Sequence, residues 1–181
     1  VAQQLKTPNP AVLRVNGWTI MLHPLFLDQI AATVAQIERA RAKDAAGYKS
    51  KNCSKRLAAV LKLAFEAIPQ DPAADAYRQG RTLGGDYTHW RRAKFFQQYR
   101  LFFRYDKASR VIIYAWCNDE TTKRAYGSNT DAYTVFSAML AKARPPDDWA
   151  DLKQECDAEE ARRKAAAASS VMDEIGKIAG V

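Results

Sequence analysis

Between Trp90 and Tyr126 the chain reads WRRAKFFQQYRLFFRYDKASRVIIYAWCNDETTKRAY, and most of its candidate chemistry is there. Arg92 and Lys94 alternate with Trp90 in one run, and Arg100 and Arg104 flank Phe102 in the next. Side chains of a strand repeat every two residues, so each trio shares a face. Guanidinium forks on such a face grip phosphate oxygens and neighbouring rings stack on bases, a combination that suits single-stranded RNA. RNA can be cut when its own 2′-OH attacks the adjacent phosphate, leaving a 2′,3′-cyclic phosphate and a 5′-OH. That reaction needs a group to take the proton, cations to hold the charge on the phosphorane, and a donor for the leaving oxygen.

The residues offer candidates for each role. Arg100, on the second run, offers a fork to a phosphate. Arg92 and Lys94 are expected to point the same way from the neighbouring strand. Adjacent like charges disfavour one another, which makes Lys94 the candidate general base. Arg124 and Tyr126 follow the last strand, Arg124 to hold phosphate or act as acid, Tyr126 to stack on or orient a base. The competing reading makes Tyr126 a core residue under the next helix, and the strand cations a solvated face or surface ion pairs. Arg91, Arg104, His89, Trp116, Asn118 and Glu120 complete a candidate RNA-contact set. His89 is a possible proton shuttle, and Trp116, like Trp90, reads first as core. Glu120 is the acid considered as a base; the alternative is that Asn118-Asp119-Glu120 caps the turn and fixes Arg124 by a salt bridge. His23 reads as structural, and Trp18 and Trp149 as core anchors.

The charge balance agrees with a polyanion as partner. Of 181 residues, 28 are Lys or Arg and 20 are Asp or Glu, a formal +8. Between Arg78 and Arg110 nine Lys or Arg face only Asp86 and Asp106, so this one stretch carries nearly the whole excess. Cys53, Cys117 and Cys156 have no short spacing, and His23 and His89 are far apart in sequence. Neither a disulfide framework, a metal site nor a cofactor is expected. Gly84-Gly85 lacks the GxxxxGK pattern of a phosphate loop. No apolar run spans a membrane and the first residues lack a signal-peptide core, so a cytoplasmic protein is expected.

These residues must be carried by a small sheet. Three alternating runs, about Trp90–Phe96, Tyr99–Tyr105 and Val111–Cys117, are separated by Gln97-Gln98 and by residues 106–109, which predicts an antiparallel meander. An earlier strand, Val15–Leu22, is introduced by Asn16-Gly17 and is expected at the meander's edge or beside its last strand. A helix from Phe26 to about Lys43 shows an apolar stripe of Leu27, Ile30, Ala31, Val34 and Ile37. A second, from about Ser54 to Ile68 with Asn52 or Ser54 as cap, shows Leu57, Val60, Leu61, Ala64, Phe65 and Ile68. Residues 69–88 read as a loop with one helical turn near Ala74–Gln79. Asp131–Ala143, capped by Thr130 or Asp131, and a last helix from Asp147 or Asp148 follow. The order implies an α+β domain, a helical hairpin on a mostly antiparallel sheet. Residues 1–14 read as a disordered or extended arm, 15–157 as the domain, and 158–181 as a helical or frayed tail.

Four blocks carry a family likeness: VNGWTIMLHPLF (15–26), WRRAKFFQQYRLFFRYD (90–106), WCNDETTKRAYGSNTDAYTVFSAML (116–140) and PPDDW (145–149). In this order they resemble the YhaV toxins of the RelE/ParE superfamily, the partners of PrlF antitoxins. The resemblance implies a RelE-like fold and a metal-independent endoribonuclease that cleaves mRNA, free or on the ribosome, and halts translation, and it makes Arg100, which stands where relatives place a phosphate-binding arginine, the first choice for gripping the scissile phosphate. It also implies a PrlF-like antitoxin with an AbrB-type DNA-binding fold, the complex repressing its own operon. Two rival activities share the surface: growth inhibition by occluding RNA or the ribosome without cleavage, and a ParE-like attack on DNA gyrase. The set Arg92, Lys94, Arg100, Arg124 and Tyr126 favours the ribonuclease over the gyrase poison, which needs no phosphate-gripping set.

Overall fold

The computed structural model describes residues 13–179, with side chains through residue 167. Residues 1–12 of the expected arm lie outside that range. Among the described residues there are five strands and four helices: β1 (Arg14–Val15), β2 (Trp18–Leu22), α1 (Pro24–Lys43), α2 (Asn52–Lys62), β3 (Arg91–Phe95), β4 (Tyr99–Asp106), β5 (Val111–Cys117), α3 (Ala132–Ala141) and α4 (Trp149–Ala179). The sheet order is β1-β2-β5-β4-β3, an α+β arrangement with one parallel pair, β2 and β5.

The expected strand at 15–22 is a hairpin instead. Asn16 and Gly17 both have positive φ, 49° and 76°, the geometry of a two-residue turn whose twist matches its strands. The turn therefore sits inside the run and leaves β1 as a two-residue edge. β2 joins the meander's last strand, and because that pairing is parallel the chain must cross over, which α1 and α2 accomplish. His23 begins α1: its Nδ1 accepts the Leu25 N–H at 3.2 Å while Nε2 lies 2.7 Å from Glu155 Oε2 on α4. Its role is structural, as its place before Pro24 suggested.

The inward faces of α1 and α2 differ from the apolar stripes. In α1 Phe26 and Thr33 are buried, whereas Ala31 and Val34 are exposed. In α2 Arg56 and Val60 are buried and Leu61 is exposed. A polar contact turns both helices: Arg56 Nη2 donates to Thr33 Oγ1 at 3.0 Å, and Thr33 donates to the Gln29 carbonyl at 2.8 Å. The α2 cap also departs from expectation. Lys51 holds that position without a side-chain bond, while Ser54 Oγ donates to the Tyr48 carbonyl.

After Lys62 the helix widens into a single π turn, Leu63–Ala67, and closes in a 3₁₀ turn, Ile68–Gln70. The Ile68 N–H bonds the Leu63 carbonyl and Pro69 has no N–H, so the Ala64 carbonyl loses its helical donor. The buried Tyr114 hydroxyl of β5 fills it at 2.5 Å. Tyr114→Phe is expected to lower stability by about 1–3 kcal/mol, the cost of an unsatisfied buried acceptor. A fall in the urea midpoint at unchanged slope would show it; an unchanged midpoint would mean that the carbonyl finds another donor.

The sheet is covered on both sides. On one, Trp18, Ile20, Phe26, Val60, Ala64, Leu101, Phe103, Ile112 and Tyr114 pack under α1 and α2. On the other, Trp90, Phe102, Ile113, Trp116, Phe136, Leu140 and Leu152 pack under α3 and α4. β5 is buried along its full length, as a central strand covered twice must be. The β4–β5 register slips between Phe102 and Phe103, which pair with Trp116 and Tyr114. This bulge places Ala115 and Trp116 on the same side and breaks strict alternation. Phe102 stacks on Phe136 with ring centroids 4.2 Å apart, and Trp90 meets Phe136 edge-on at 5.1 Å. That aromatic layer seats α3 over β3 and β4, and so decides what lies above the strand cations. The stretch 69–88 carries short 3₁₀ turns at Asp75–Tyr77 and Gly85–Tyr87.

Candidate active site

The pairing of β3 with β4 brings the expected cations together. Arg92 faces Phe102 and Lys94 faces Arg100 directly across the ladder, so Arg92, Lys94, Arg100 and Arg104 share the α3 side of the sheet. The connection is a three-residue turn, Phe96–Gln98, longer than the Gln97-Gln98 link expected, with positive φ at Phe96 and Gln97. Its tip is tied to the site, because Arg100 Nη1 donates to the carbonyls of Gln97 and Tyr99, each at 2.8 Å.

The two guanidiniums converge on one oxygen. Arg92 Nε donates to the Tyr133 hydroxyl at 2.9 Å and Arg100 Nε to the same hydroxyl at 3.3 Å. Arg92 Nη1 donates to the Ala76 carbonyl at 2.7 Å. Each arginine thus spends Nε and Nη1 on neutral oxygens and keeps Nη2 without an acceptor among the described residues. Arg100 is only 7% exposed. Among the described residues neither arginine, nor exposed Lys94 opposite Arg100, has a carboxylate partner. Buried cations without counter-charge, and like charges directly opposed on a sheet, both cost stability. Such a cluster is poised for an anion.

Arg124 and Tyr126 arrive from the segment between β5 and α3. Arg124 is ion-paired with Asp131, which also accepts the N–H groups of Ala125 at 2.8 Å and Tyr133 at 2.9 Å. Burial pushes the Asp131 carboxyl up, but those two N–H bonds and the guanidinium outweigh it and hold it below the usual carboxylate range. The Arg124 guanidinium lies 3.9 Å from the Tyr126 ring centroid and 4.7 Å from that of Tyr133. Its charge is already answered, which argues against a free phosphate holder or acid at this position. It bridges the two tyrosines instead. Tyr126 is 91% exposed, so the core reading for it is overturned.

The remaining candidates are dispersed. Arg91 points to the α1–α2 side, its guanidinium 5.6 Å from the Tyr105 ring centroid. Arg104 shares the site's face but lies four residues along β4 from Arg100, about 13 Å at strand rise. It is held between Trp90 and Trp149 and donates to the Asp147 carbonyl. Burial pulls its pKa below the usual guanidinium value, against the opposing charges of Asp147 and Asp148. His89 Nε2 and Trp90 Nε1 both meet Asp147 Oδ1, each at 2.7 Å, at that same far end. Trp116 is a core residue stacked with Phe102 and Phe136. Asn118 is buried and structural: its Oδ1 accepts the Arg100 N–H at 2.5 Å, and its amide donates to the carbonyls of Gln98 and Thr122. Glu120 bonds Tyr99, Asn52 and Lys123, so the salt bridge expected to Arg124 is made by Asp131 instead.

Tyr133 is the residue that the sequence reading missed. A signal was present, since it lies three residues before Phe136 and so extends the buried stripe of α3 back by one turn. Among the described residues no three His, Cys, Asp or Glu side chains group closely enough to hold a metal ion, and no helix is long and apolar enough to cross a membrane.

Comparison with known proteins adds a second line of evidence. A family model for the YhaV toxin, described as a toxin with endonuclease activity of a toxin–antitoxin system, matches residues 20–157. Toxin YhaV of Escherichia coli O6:H1 (strain CFT073) is 48% identical over 144 residues, 78% of this chain and 94% of that protein. Ribonuclease toxin YhaV of Escherichia coli K12 is 47% identical over the same length and coverage. No solved structure matches the chain.

Proposed function

The chain belongs to the YhaV toxin family, toxins with endonuclease activity from toxin–antitoxin systems, and on that premise we propose that Arg92, Lys94 and Arg100 form the phosphate grip of a metal-independent ribonuclease. The protein is an endonuclease whose substrate is RNA and whose partner is an antitoxin. In our reading the substrate is mRNA, free or on the ribosome, and the working domain is residues 15–157.

The observation that carries this reading is the pair of guanidiniums on adjacent strands, oriented by neutral oxygens and lacking a carboxylate among the described residues. A phosphodiester placed against their Nη2 edges supplies the missing charge. As the 2′-oxygen bonds to phosphorus, the non-bridging oxygens gain negative charge, and the two forks with Lys94 beside them bind that state more tightly than the ground state. The 2′-OH proton passes to water as the 2′-oxygen attacks, the P–O5′ bond breaks, and the 5′-oxygen takes a proton back from water, giving a cyclic phosphate and a 5′-OH. Exposed Tyr126, backed by Arg124, offers its ring to a base next to the scissile bond.

The 2′-OH must be the nucleophile in this scheme. An RNA carrying a single 2′-deoxy nucleotide at the cleaved position is expected to bind within about twofold of the parent and to resist cleavage there. Cleavage at the deoxy position would sink the mechanism. Binding of the parent RNA with no cleavage at all would favour the occluding inhibitor. By family likeness, the antitoxin is proposed to be PrlF-like, with an AbrB-type DNA-binding fold, and the complex to act on its own operator through that partner.

A further inference from the structure

We propose that Tyr133 is a positioning residue for the reaction, the neutral peg that sets Arg92 and Arg100 in one orientation without cancelling their charge. The inference rests on the reading of the arginine pair as the phosphate grip. Its basis is the meeting of both Nε–H groups at one phenolic oxygen, at 2.9 and 3.3 Å.

Flexible cationic side chains 92 and 100 would otherwise sample many rotamers, and gripping a transition state would then require ordering them at the moment of reaction. A protein ordinarily fixes an arginine with Asp or Glu, as it does here for Arg124 with Asp131. At the phosphate grip a carboxylate would compete with the substrate's own oxygens. A hydroxyl accepts both N–H groups and leaves the positive charge uncompensated.

Tyr133 is itself held on three sides. Its N–H is bonded to Asp131 Oδ1 at 2.9 Å, the first bond of the α3 cap. Its ring packs edge-on against Phe102 with centroids 5.6 Å apart, and the Arg124 guanidinium lies 4.7 Å from its centroid. The residue is 6% exposed, so its oxygen sits behind the arginines rather than against substrate. The peg therefore transmits the position of α3 to the two strands.

Tyr133→Phe removes one oxygen and keeps the ring. It is expected to lower the cleavage rate by about 10–100-fold, while affinity for the RNA blocked by a 2′-deoxy nucleotide changes by less than about threefold. The second measurement repeats the substitution in Arg92→Lys, where the shorter of the two bonds to the hydroxyl is already lost. There Tyr133→Phe is expected to cost only about 3–10-fold more, because of its two bonds only the one to Arg100 remains to be lost and residues that act through one another are non-additive. An unchanged rate in Tyr133→Phe, or the full loss repeated in the Arg92→Lys background, would overturn the inference. Failure of the unaltered protein to cut RNA would instead strike the ribonuclease reading itself.

Discussion

Arg100→Met is expected to lower RNA cleavage by about 10²–10³-fold and to abolish growth inhibition, the loss seen when one preorganised donor to a developing oxyanion is removed. Methionine fills much of the same volume but carries neither charge nor donor. The side chain is nearly buried, lies opposite Lys94, and has Nε and Nη1 fixed by Tyr133, Gln97 and Tyr99, so its free edge is already oriented. Arg100→Lys is expected to recover little, because a point charge cannot reproduce a fork held at three points. Both variants should keep their circular dichroism and their binding to the antitoxin. Retained toxicity in Arg100→Met would remove this residue from the site.

Asp131→Asn is expected to have the largest effect on stability among the residues around the site, about 3–5 kcal/mol, as for a buried ion pair broken from one side. Asp131 is 2% exposed and serves two backbone N–H groups and the Arg124 guanidinium, so the amide leaves Arg124 without counter-charge and weakens the α3 cap. The dependence on pH follows from the folded carboxyl lying below its ordinary value. Its contribution is present above the unfolded pKa of about 3.9 and is lost as pH falls through the lower folded value. Urea midpoints should therefore separate the two proteins at neutral pH and converge in strong acid. Equal midpoints at pH 7 would show that the ion pair does not hold this segment.

Much of the fold was legible because the signals were local. Alternation in residues 90–117 and the cap at Asp131 depend only on neighbours in the chain, and both led to the right elements. What depends on packing was not legible. The bulge at Phe102/Phe103 places Ala115 and Trp116 on one side, which no period of two foretells. Thr33 and Arg56 turn inward because they bond each other, and so displace Ala31, Val34 and Leu61 from the faces their apolarity suggested.

The candidate site divides in the same way. Arg92, Lys94 and Arg100 could be placed side by side from the sequence because one ladder aligns them, and the same alternation already set Arg91 on the opposite face. Arg104 shares their face but is taken up by Trp90 and Trp149. Tyr133 escaped because its partners lie 33 and 41 residues away, and nothing in a short window connects them.

In this scheme side-chain cations, rather than a metal ion, hold the charge of the transition state. Purified protein incubated with RNA in excess EDTA is therefore expected to cleave it undiminished and to leave 2′,3′-cyclic phosphate and 5′-OH termini. Cleavage that stops in EDTA and returns on adding a divalent metal would show that a metal carries that charge instead.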